Sequence, residues 1–264
     1  MQIPQADWLR TIDVSQFNNG GQPIDWLTVV PHLPTRMIGR VIVRSSYGSG
    51  YVDPQFAANW QALKSLKIPV GVYHAAVPGA SPNLYAHAQA QAALFLEVVG
   101  KEGGIQGTDW PILDCENTGG LTPDQLALWA QHWIGCVNAA VKNPKNPVIF
   151  YSYSAFIAQH LSLYATLAST PLWLAAYPAG PTFPTTAPTN VGGWTQYFGW
   201  QYTDAAQIPG ITGSVDESVF ALSLVDGSPV IPDPTPDPDP SIATLQSEIT
   251  TLQKKITAAQ KALQ

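Results

Sequence analysis

The stretch Pro111-Ile112-Leu113-Asp114-Cys115-Glu116 places two carboxylates at the end of an apolar run. A short run that is entered by proline and rich in branched side chains is typical of a buried strand. Side chains at positions i and i+2 of a strand point to the same side, so Asp114 and Glu116 face one way and Cys115 faces the other. The sequence therefore predicts a buried strand that carries a pair of acids at its carboxyl end.

Two carboxyl groups that stand about 6–7 Å apart on one strand perturb each other, so one can stay protonated near neutral pH while the other is ionised. A glycosidase needs this arrangement, because it uses one carboxyl as a proton donor and a second as an anion. An Asp-x-Glu at a strand end can also cap the next helix or lie in solvent. The rest of the chain has to decide between these interpretations.

Seven further apolar runs have the character of strands, which brings the total to eight. Helices are predicted mainly between the early strands, where Asp53-Pro54, Ser81-Pro82 and Thr122-Pro123 each combine a capping residue with a proline at the first helical position. Thr122 followed by Gln125 also forms a capping box. Shorter helices are predicted at about 25–32 and 154–160. The seven further runs are residues 10–15, 40–45, 69–74, 147–152, 171–177, 197–202 and 215–220.

Strands that alternate with helices and are apolar along their whole length favour an α/β protein with a parallel sheet covered on both faces. Eight such strands favour a closed (β/α) barrel in which some helices are missing late in the chain. A doubly wound open sheet is the alternative. Composition is consistent with either, since 45% of the 264 residues are hydrophobic.

Charge and cysteine usage exclude several classes of partner and site. Lys+Arg number 12 against Asp+Glu 18, and the net charge of −6 provides no basic footprint for nucleic acid or anionic lipid. The first eight residues do not resemble a signal peptide, and no run reaches the ~20 apolar residues of a membrane span. The two cysteines, Cys115 and Cys136, are expected to be buried thiols and not a disulfide.

The composition changes abruptly after Gly227. Residues 228–240 are rich in proline and aspartate, which predicts a stiff, extended linker. Residues 241–264 then carry isoleucine and leucine at alternating spacings of three and four, the pattern of a short coiled coil. The domains predicted are thus a barrel at 1–227, the linker and a coiled-coil helix that pairs with another copy or an assembly partner. A helix that frays or packs on its own barrel is the alternative.

Four acids fall at the carboxyl ends of predicted strands: Asp13, Asp114, Glu116 and Asp216. In a (β/α) barrel these ends meet at one mouth, where such barrels carry out their chemistry. Aromatic and amide side chains that sugars can stack on or bond to accompany them, although His74 can equally be a hydrogen-bonded part of the wall. No metal-binding, nucleotide-binding or serine-hydrolase motif is present, so no metal or cofactor is predicted. The predicted substrate-binding residues are Tyr47, Tyr73, His74, Tyr151, Trp173, Tyr177, Trp200 and Gln201.

A series of short motifs runs in order from about residue 11 to residue 224: Asp13-Val14-Ser15, Tyr47-Gly48, Tyr51-Val52-Asp53, Gly71-Val72-Tyr73-His74, Leu113-Asp114-Cys115-Glu116, Ile149-Phe150-Tyr151-Ser152, Leu172-Trp173, Trp200-Gln201-Tyr202 and Val215-Asp216. In these motifs the sequence resembles the family-25 glycoside hydrolases. The resemblance implies an irregular barrel of eight strands with fewer helices. It also implies a lysozyme that cuts the β-1,4 bond between N-acetylmuramic acid and N-acetylglucosamine in peptidoglycan.

By this resemblance Glu116 matches the general acid, and Asp13, Asp114 and Asp216 match the other acids of the catalytic cleft. Cys115 departs from the small or aliphatic residue that is usual between the two acids. We favour a mechanism in which Asp114 holds the 2-acetamido group of the substrate while Glu116 acts as acid and then base. Direct activation of water by Asp13 or Asp216 is the alternative.

Two functions are consistent with these features. The first is a muramidase that reaches the cell wall after host-cell lysis, as a phage endolysin does, or on a phage particle. The second is a wall-binding or virion adaptor with weak catalysis, in which the coiled coil mediates assembly. The presence of all four acids favours the enzyme.

Overall fold

The structure is a computed structural model, and it describes residues 8–30, 38–142, 147–162, 164–177, 188, 192–195 and 197–221. The linker and the coiled coil predicted for residues 228–264 lie outside these ranges. The strands are β1 (Trp8–Val14), β2 (Ile38–Tyr47), β3 (Tyr51–Val52), β4 (Val70–Ala75), β5 (Trp110–Asp114), β6 (Ile149–Tyr153), β7 (Leu172–Ala175), β8 (Gly199–Ala206) and β9 (Val215–Ala221).

Eight of these strands close into a barrel in the order β1-β9-β8-β7-β6-β5-β4-β2, and β2 pairs with β1 to complete the circle. The ninth strand, β3, forms a two-residue hairpin partner of β2 at the barrel edge. The prediction of an eight-stranded barrel is confirmed. The open, doubly wound sheet is excluded because β1 and β2 are hydrogen-bonded neighbours.

The barrel is mixed and not fully parallel. Strand β9 runs antiparallel to both β8 and β1, whereas the other barrel pairs are parallel. The expectation of a parallel sheet is therefore wrong at β9. Residues 207–214 join β8 to β9 without a helix, and a connection this short cannot cross the sheet, so the chain must return in the opposite direction.

Helices cover the outer face of the barrel between the early strands. Their order follows the prediction, and the structure adds a short helix before β7. A 3₁₀ turn at Asn18–Gly21 follows β1. Along the described part of the chain, no helix has the length and apolar character that crossing a membrane requires. The helices are α1 (Trp26–Val29), α2 (Phe56–Ser65), α3 (Leu84–Lys101), α4 (Pro123–Val141), α5 (Ser154–His160) and α6 (Ala165–Ala168).

Of the three capping residues predicted for α2, α3 and α4, the structure confirms the one of α4, and the other two helices begin later in the chain. The Thr122 and Gln125 side chains form the capping box of α4. The N-cap of α3 is Asn83, whose side chain accepts from the Ala86 amide, so this helix begins after Ser81-Pro82. The N-cap of α2 is Gln55 and not Asp53. One oxygen of the Asp53 carboxylate accepts from the Gln55 amide at 2.9 Å, and the other pairs with Arg44.

Two apolar layers are separated by the barrel wall. Residues of the outer layer, such as Leu113 and Cys115, pack against the helices. Residues of the inner layer, such as Ile112 and Phe220, fill the barrel interior. Side chains alternate between the two layers along each strand. In β5 this places Trp110, Ile112 and Asp114 on the inner side, so the acid lies above an apolar plug at the end of the barrel.

Candidate active site

An open cleft of about 300 Å³ lies at the end of the barrel where the parallel strands finish. Four acids predicted from the sequence meet in it, although they come from three separate strands. Aromatic rings and one arginine complete the wall. The lining residues are Asp13, Ser15, Phe17, Asn18, Arg44, Tyr73, Asp114, Glu116, Tyr151, Trp173 and Asp216.

Asp114 is the last residue of β5, and Glu116 lies two residues beyond it. The extended pairing continues past the strand, since the Cys115 amide donates to the Tyr151 carbonyl at 3.0 Å. The Ser152 hydroxyl donates to the Cys115 carbonyl at 2.8 Å. The Cys115 side chain is buried in the outer layer, so the acids on either side of it both face the cleft. Both cysteines are free thiols.

The loop that follows Glu116 is packed against the connection between β4 and α3. The Gly119 amide donates to the Asn117 side chain at 2.7 Å, and Gly119 has a φ of 57°. A Cβ atom at Gly119 would lie 1.7 Å from the Pro78 carbonyl oxygen. Only glycine allows this approach, and the contact fixes the path of the chain just beyond Glu116.

Asp13 and Asp216 form the opposite wall, as directly paired residues of β1 and β9. Asp216 lies at the beginning of β9. The sequence analysis predicted it at the carboxyl end of a strand, which is wrong. The antiparallel direction of β9 brings that beginning to the mouth where the parallel strands end, so Asp216 still reaches the cleft.

Gln201 of β8 connects this acid pair to two tyrosines. Its amide nitrogen donates to the carboxylates of Asp13 at 2.9 Å and Asp216 at 3.4 Å. Its amide oxygen accepts from the hydroxyls of Tyr151 and Tyr177, both at 2.7 Å. The amide has protein partners at both ends and is buried. The geometry therefore makes Gln201 a support for the acids, whereas the sequence analysis assigned it to substrate binding.

Arg44 is a cleft residue that the sequence analysis did not identify. Its Nε donates to Asp53 at 2.8 Å, and both side chains are largely buried. Among the described residues that line the cleft, it is the one cation. A signal for it exists in the sequence, because an arginine inside an apolar strand needs a buried acid as its partner.

The cleft raises the pKa of all four acids. Burial raises the pKa of Asp114 well above its usual range, the charge of Glu116 adds to this, and Arg44 opposes it. Glu116 is exposed at the rim, but the cleft still displaces part of the water around its carboxyl group. This desolvation, and then the charge of Asp216, raises the pKa of Glu116. Burial, then Asp216, raises the pKa of Asp13. Burial and the charge of Asp204 raise the pKa of Asp216 to about 6.

The predicted substrate-binding residues other than Gln201 fall into three groups: those that line the cleft, those that are exposed, and those that lie away from the cleft. Tyr73, Tyr151 and Trp173 line the cleft. Tyr47 and Tyr177 are exposed, and Tyr177 adjoins the cleft through Gln201.

Two predicted residues lie away from the cleft, on the outer side of the barrel wall. His74 is fully buried, bonds Ser46 and Gln91, and has its ring stacked on Trp133 of α4. Burial lowers its pKa to about 4. Trp200 is buried as well, and its indole donates to the Ala176 carbonyl. Alternation along a strand explains both positions, since their neighbours Tyr73 and Gln201 point inward.

Residues 12–211 match the family model of glycosyl hydrolases family 25. The chain belongs to this family. The resemblance found in the sequence is confirmed, and the protein is a glycoside hydrolase of the lysozyme (muramidase) type. Among the described residues, no group of three or more histidine, cysteine or acidic side chains is arranged to hold a metal ion.

The chain is similar to several individual proteins. The uncharacterised protein YegX of Escherichia coli (strain K12) is 30% identical over 222 residues, which cover 83% of this chain and 72% of YegX. Lysozyme M1 of Streptomyces globisporus is 27% identical over 219 residues, covering 80% and 67% of the two chains. The solved structure of the CTP1L endolysin superimposes with a TM-score of 0.62 at 26% identity and covers 83% and 70%.

Proposed function

We propose that this glycoside hydrolase cuts the β-1,4 bond between N-acetylmuramic acid and N-acetylglucosamine in bacterial peptidoglycan. The observation that carries the proposal is the meeting of Asp114 and Glu116 with Asp13 and Asp216 in one cleft that aromatic rings also line. A glycosidic bond in such a cleft has a proton donor on one side and negative charge on the other. The names of the relatives, a lysozyme and an endolysin, support the substrate class.

In this proposal Glu116 is the general acid that protonates the leaving oxygen. Two coupled carboxyls hold one proton between them over the pH range that separates their ionisations. Arg44 acts on Asp114 and favours its ionised form, whereas the charge of Asp216 favours the protonated form of Glu116. Burial, the largest effect, raises the pKa of Asp114 well above its usual range, so these charges alone do not place the proton. In this proposal the N–H of the bound substrate favours ionised Asp114 and leaves the proton on Glu116, where general acid catalysis needs it.

Asp114 in its ionised form can accept a hydrogen bond from the N–H of the substrate's 2-acetamido group. The acetamido oxygen would then attack the anomeric carbon as the glycosidic bond breaks. Glu116, now ionised, would take a proton from the water that opens the resulting ring. In the alternative mechanism, Asp13 or Asp216 activates a water for direct attack. The support of both acids by Gln201 is consistent with either a structural or a chemical role for the pair.

The test is incubation of the purified protein with insoluble peptidoglycan and analysis of the fragments. We expect loss of turbidity and new reducing ends on N-acetylmuramic acid. New reducing ends on N-acetylglucosamine, or release of peptides alone, would contradict the proposal. Initial product with the β configuration supports the acetamido route, because that route retains the configuration. Product with the α configuration would instead support direct attack by water.

We further propose that the biological role is degradation of a bacterial cell wall during phage-driven lysis. The endolysin relative supports this setting. The alternative role, a wall-binding or virion adaptor that assembles through residues 241–264, predicts tight wall binding with little release of fragments. Measuring binding and fragment release in one assay separates the two roles.

A further inference from the structure

Exposed aromatic side chains cluster at one side of the cleft mouth. Phe17 is 75% exposed, and Tyr47 and Tyr51 are 46% and 41% exposed. Phe17 lines the cleft itself, while the two tyrosines belong to the hairpin formed by β2 and β3. Exposed aromatic rings gathered in one place commonly mark a binding surface, because water solvates them poorly.

The rings are held in place by defined contacts. Phe17 lies over the guanidinium of Arg44, with 4.9 Å between Cζ and the ring centroid. Arg44 is bound to Asp53, and the same carboxylate accepts from the Gln16 amide at 3.0 Å. One face of Phe17 is thereby fixed on a buried cation, while most of the ring remains open to solvent.

The hairpin is connected to the same loop. The Tyr51 hydroxyl donates to the side-chain oxygen of Gln16, the neighbour of Phe17. Tyr47 and Tyr51 are directly paired across the hairpin, and paired residues point to the same side of a sheet. Tyr47 therefore faces the side from which Tyr51 reaches Gln16. Phe17 at the cleft is thus linked through its neighbour Gln16 to Tyr51, and through the hairpin pairing to Tyr47.

We propose that Phe17, Tyr51 and Tyr47 form a distal glycan subsite that binds sugars of the same strand beyond those at the cleaved bond. The inference rests on the proposed function. The C–H face of a pyranose ring is apolar and stacks on an aromatic face, so a row of open rings fits a polymer of linked sugars. Continuity with the cleft through Phe17 favours a glycan strand over a protein partner as the occupant.

A distal subsite has a length-dependent effect on catalysis. Sugars bound there hold long substrates but are absent from short ones, and they do not touch the reacting atoms. Removal of the rings should thus raise KM for long glycans and leave kcat unchanged. The substrates for the test are peptide-free glycans of alternating N-acetylglucosamine and N-acetylmuramic acid, four and eight sugars long.

We expect Tyr51→Ala to raise KM for the eight-sugar glycan by about three- to tenfold, with kcat and the four-sugar kinetics within twofold. Tyr51→Phe keeps the ring and should retain most of the wild-type affinity. Tyr85→Ala is the matched control: Tyr85 is 51% exposed, but it packs against His132 of α4 and does not line the cleft. Thermal unfolding of every variant shows whether the fold is intact.

The outcomes separate this inference from the proposed function. If wild type cleaves both glycans but Tyr51→Ala changes KM equally for both lengths, changes kcat alone, or changes nothing, the distal subsite is refuted. An equal response of the Tyr85→Ala control refutes it too. If wild type cleaves neither glycan nor peptidoglycan, the proposed function itself fails.

Discussion

Asp13 and Asp216 lie directly opposite each other on the antiparallel strands β1 and β9, and the amide of Gln201 donates to both carboxylates. Two carboxylates held side by side repel each other, so the pair retains a proton to higher pH than an isolated acid would. Burial and then the charge of Asp216 raise the pKa of Asp13, which is consistent with this arrangement. The N–H groups of the Gln201 side chain donate to both carboxylates and so stabilise the pair.

The first prediction concerns Gln201→Glu. The variant removes the amide donor and adds a third acid beside the pair, so we expect kcat/KM at pH 7 to fall by about 10²-fold. At lower pH the new carboxyl is protonated and can again donate, which should move the activity optimum to lower pH. The measurement is kcat/KM against pH.

Gln91→Glu is the matched control, because Gln91 is also a buried amide but bonds His74 and Val77 outside the cleft. Both variants are expected to lose thermal stability, since each buries an additional acid. Only Gln201→Glu should alter the pH profile. An unchanged profile for that variant would show that Gln201 does not govern the acids.

The second prediction is that Glu116→Gln loses about 10²–10⁴-fold in turnover, because the amide keeps the shape of the side chain but has no proton to transfer. Glu116 is exposed at the cleft rim, so the unfolding temperature should change little. Glu97→Gln, on the exposed face of α3, should retain full activity. Turnover of Glu116→Gln within tenfold of wild type would rule out the assignment of Glu116 as the acid.

The third prediction concerns the pH dependence of Asp216→Asn. Burial and the negative charge of Asp216 both raise the pKa of Glu116. The asparagine variant removes that charge, so Glu116 should ionise at lower pH and the alkaline limb of kcat/KM should move to lower pH by about 1 unit or less. A shift of the limb to higher pH would contradict the interaction.

Stability should respond to the same variant. The folded-state pKa of Asp216, about 6, lies above its usual value of 3.8, so the native state binds more protons than the unfolded chain between these values. Wild-type stability is therefore lost as pH rises through about 6. Asparagine does not ionise, so above this pH the free energy of unfolding of Asp216→Asn should exceed that of wild type by roughly 1–3 kcal/mol. Denaturant unfolding at pH 4 and pH 7.5 tests this: the gain should be present only at the higher pH.

The fourth prediction compares Gly119→Ala with Gly120→Ala. Both glycines have positive φ, so both variants should lose about 1–2 kcal/mol of stability. Only Gly119 has an obstacle, the Pro78 carbonyl, whereas a Cβ at Gly120 meets nothing within 4 Å. Gly119→Ala must therefore displace the loop beyond Glu116, and we expect at least tenfold lower kcat. Equal kcat values for the two variants would mean that this loop does not position Glu116.

The fifth prediction concerns residues 241–264. Their heptad pattern predicts a parallel self-association, and a chain of residues 1–227 should be a monomer with near-normal activity on soluble wall fragments. Light scattering on the two proteins at matched, high concentration tests it. Equal monomer masses would show that the helix does not pair with itself.

Local signals in the sequence were sufficient for most of the fold. The Thr122 capping box and the apolar β5 run depend on neighbouring residues only, and the structure reproduces both. The N-cap of α2 is Gln55 and not the predicted Asp53, and the ion pair of Asp53 with Arg44 joins separate elements, which local signals do not encode. The direction of β9 also depends on the shortness of one connection, which the strand patterns do not encode.

The sequence predicted the four acids of the candidate site, but it predicted the other residues of the cleft wall less well. Adjacent strand residues cannot both point into a barrel, so the alternation rule that paired Asp114 with Glu116 also separates Tyr73 from His74. The cleft residues Arg44 and Phe17 escaped notice because the contact between them requires the folded barrel. Gln201 was found, but its partners, and hence its supporting role, required the structure.

The position of β9 between β8 and β1 has a consequence for the order in which the protein matures. The barrel cannot close until its last strand is synthesised, and that strand must then pair with residues at the beginning of the chain. Contacts between such distant residues form late and slow the folding of a domain. Until then β1 and β8 expose unpaired edges that invite aggregation. Asp216 meets Asp13 only in this final step, so a nascent or prematurely terminated chain lacks one side of its cleft.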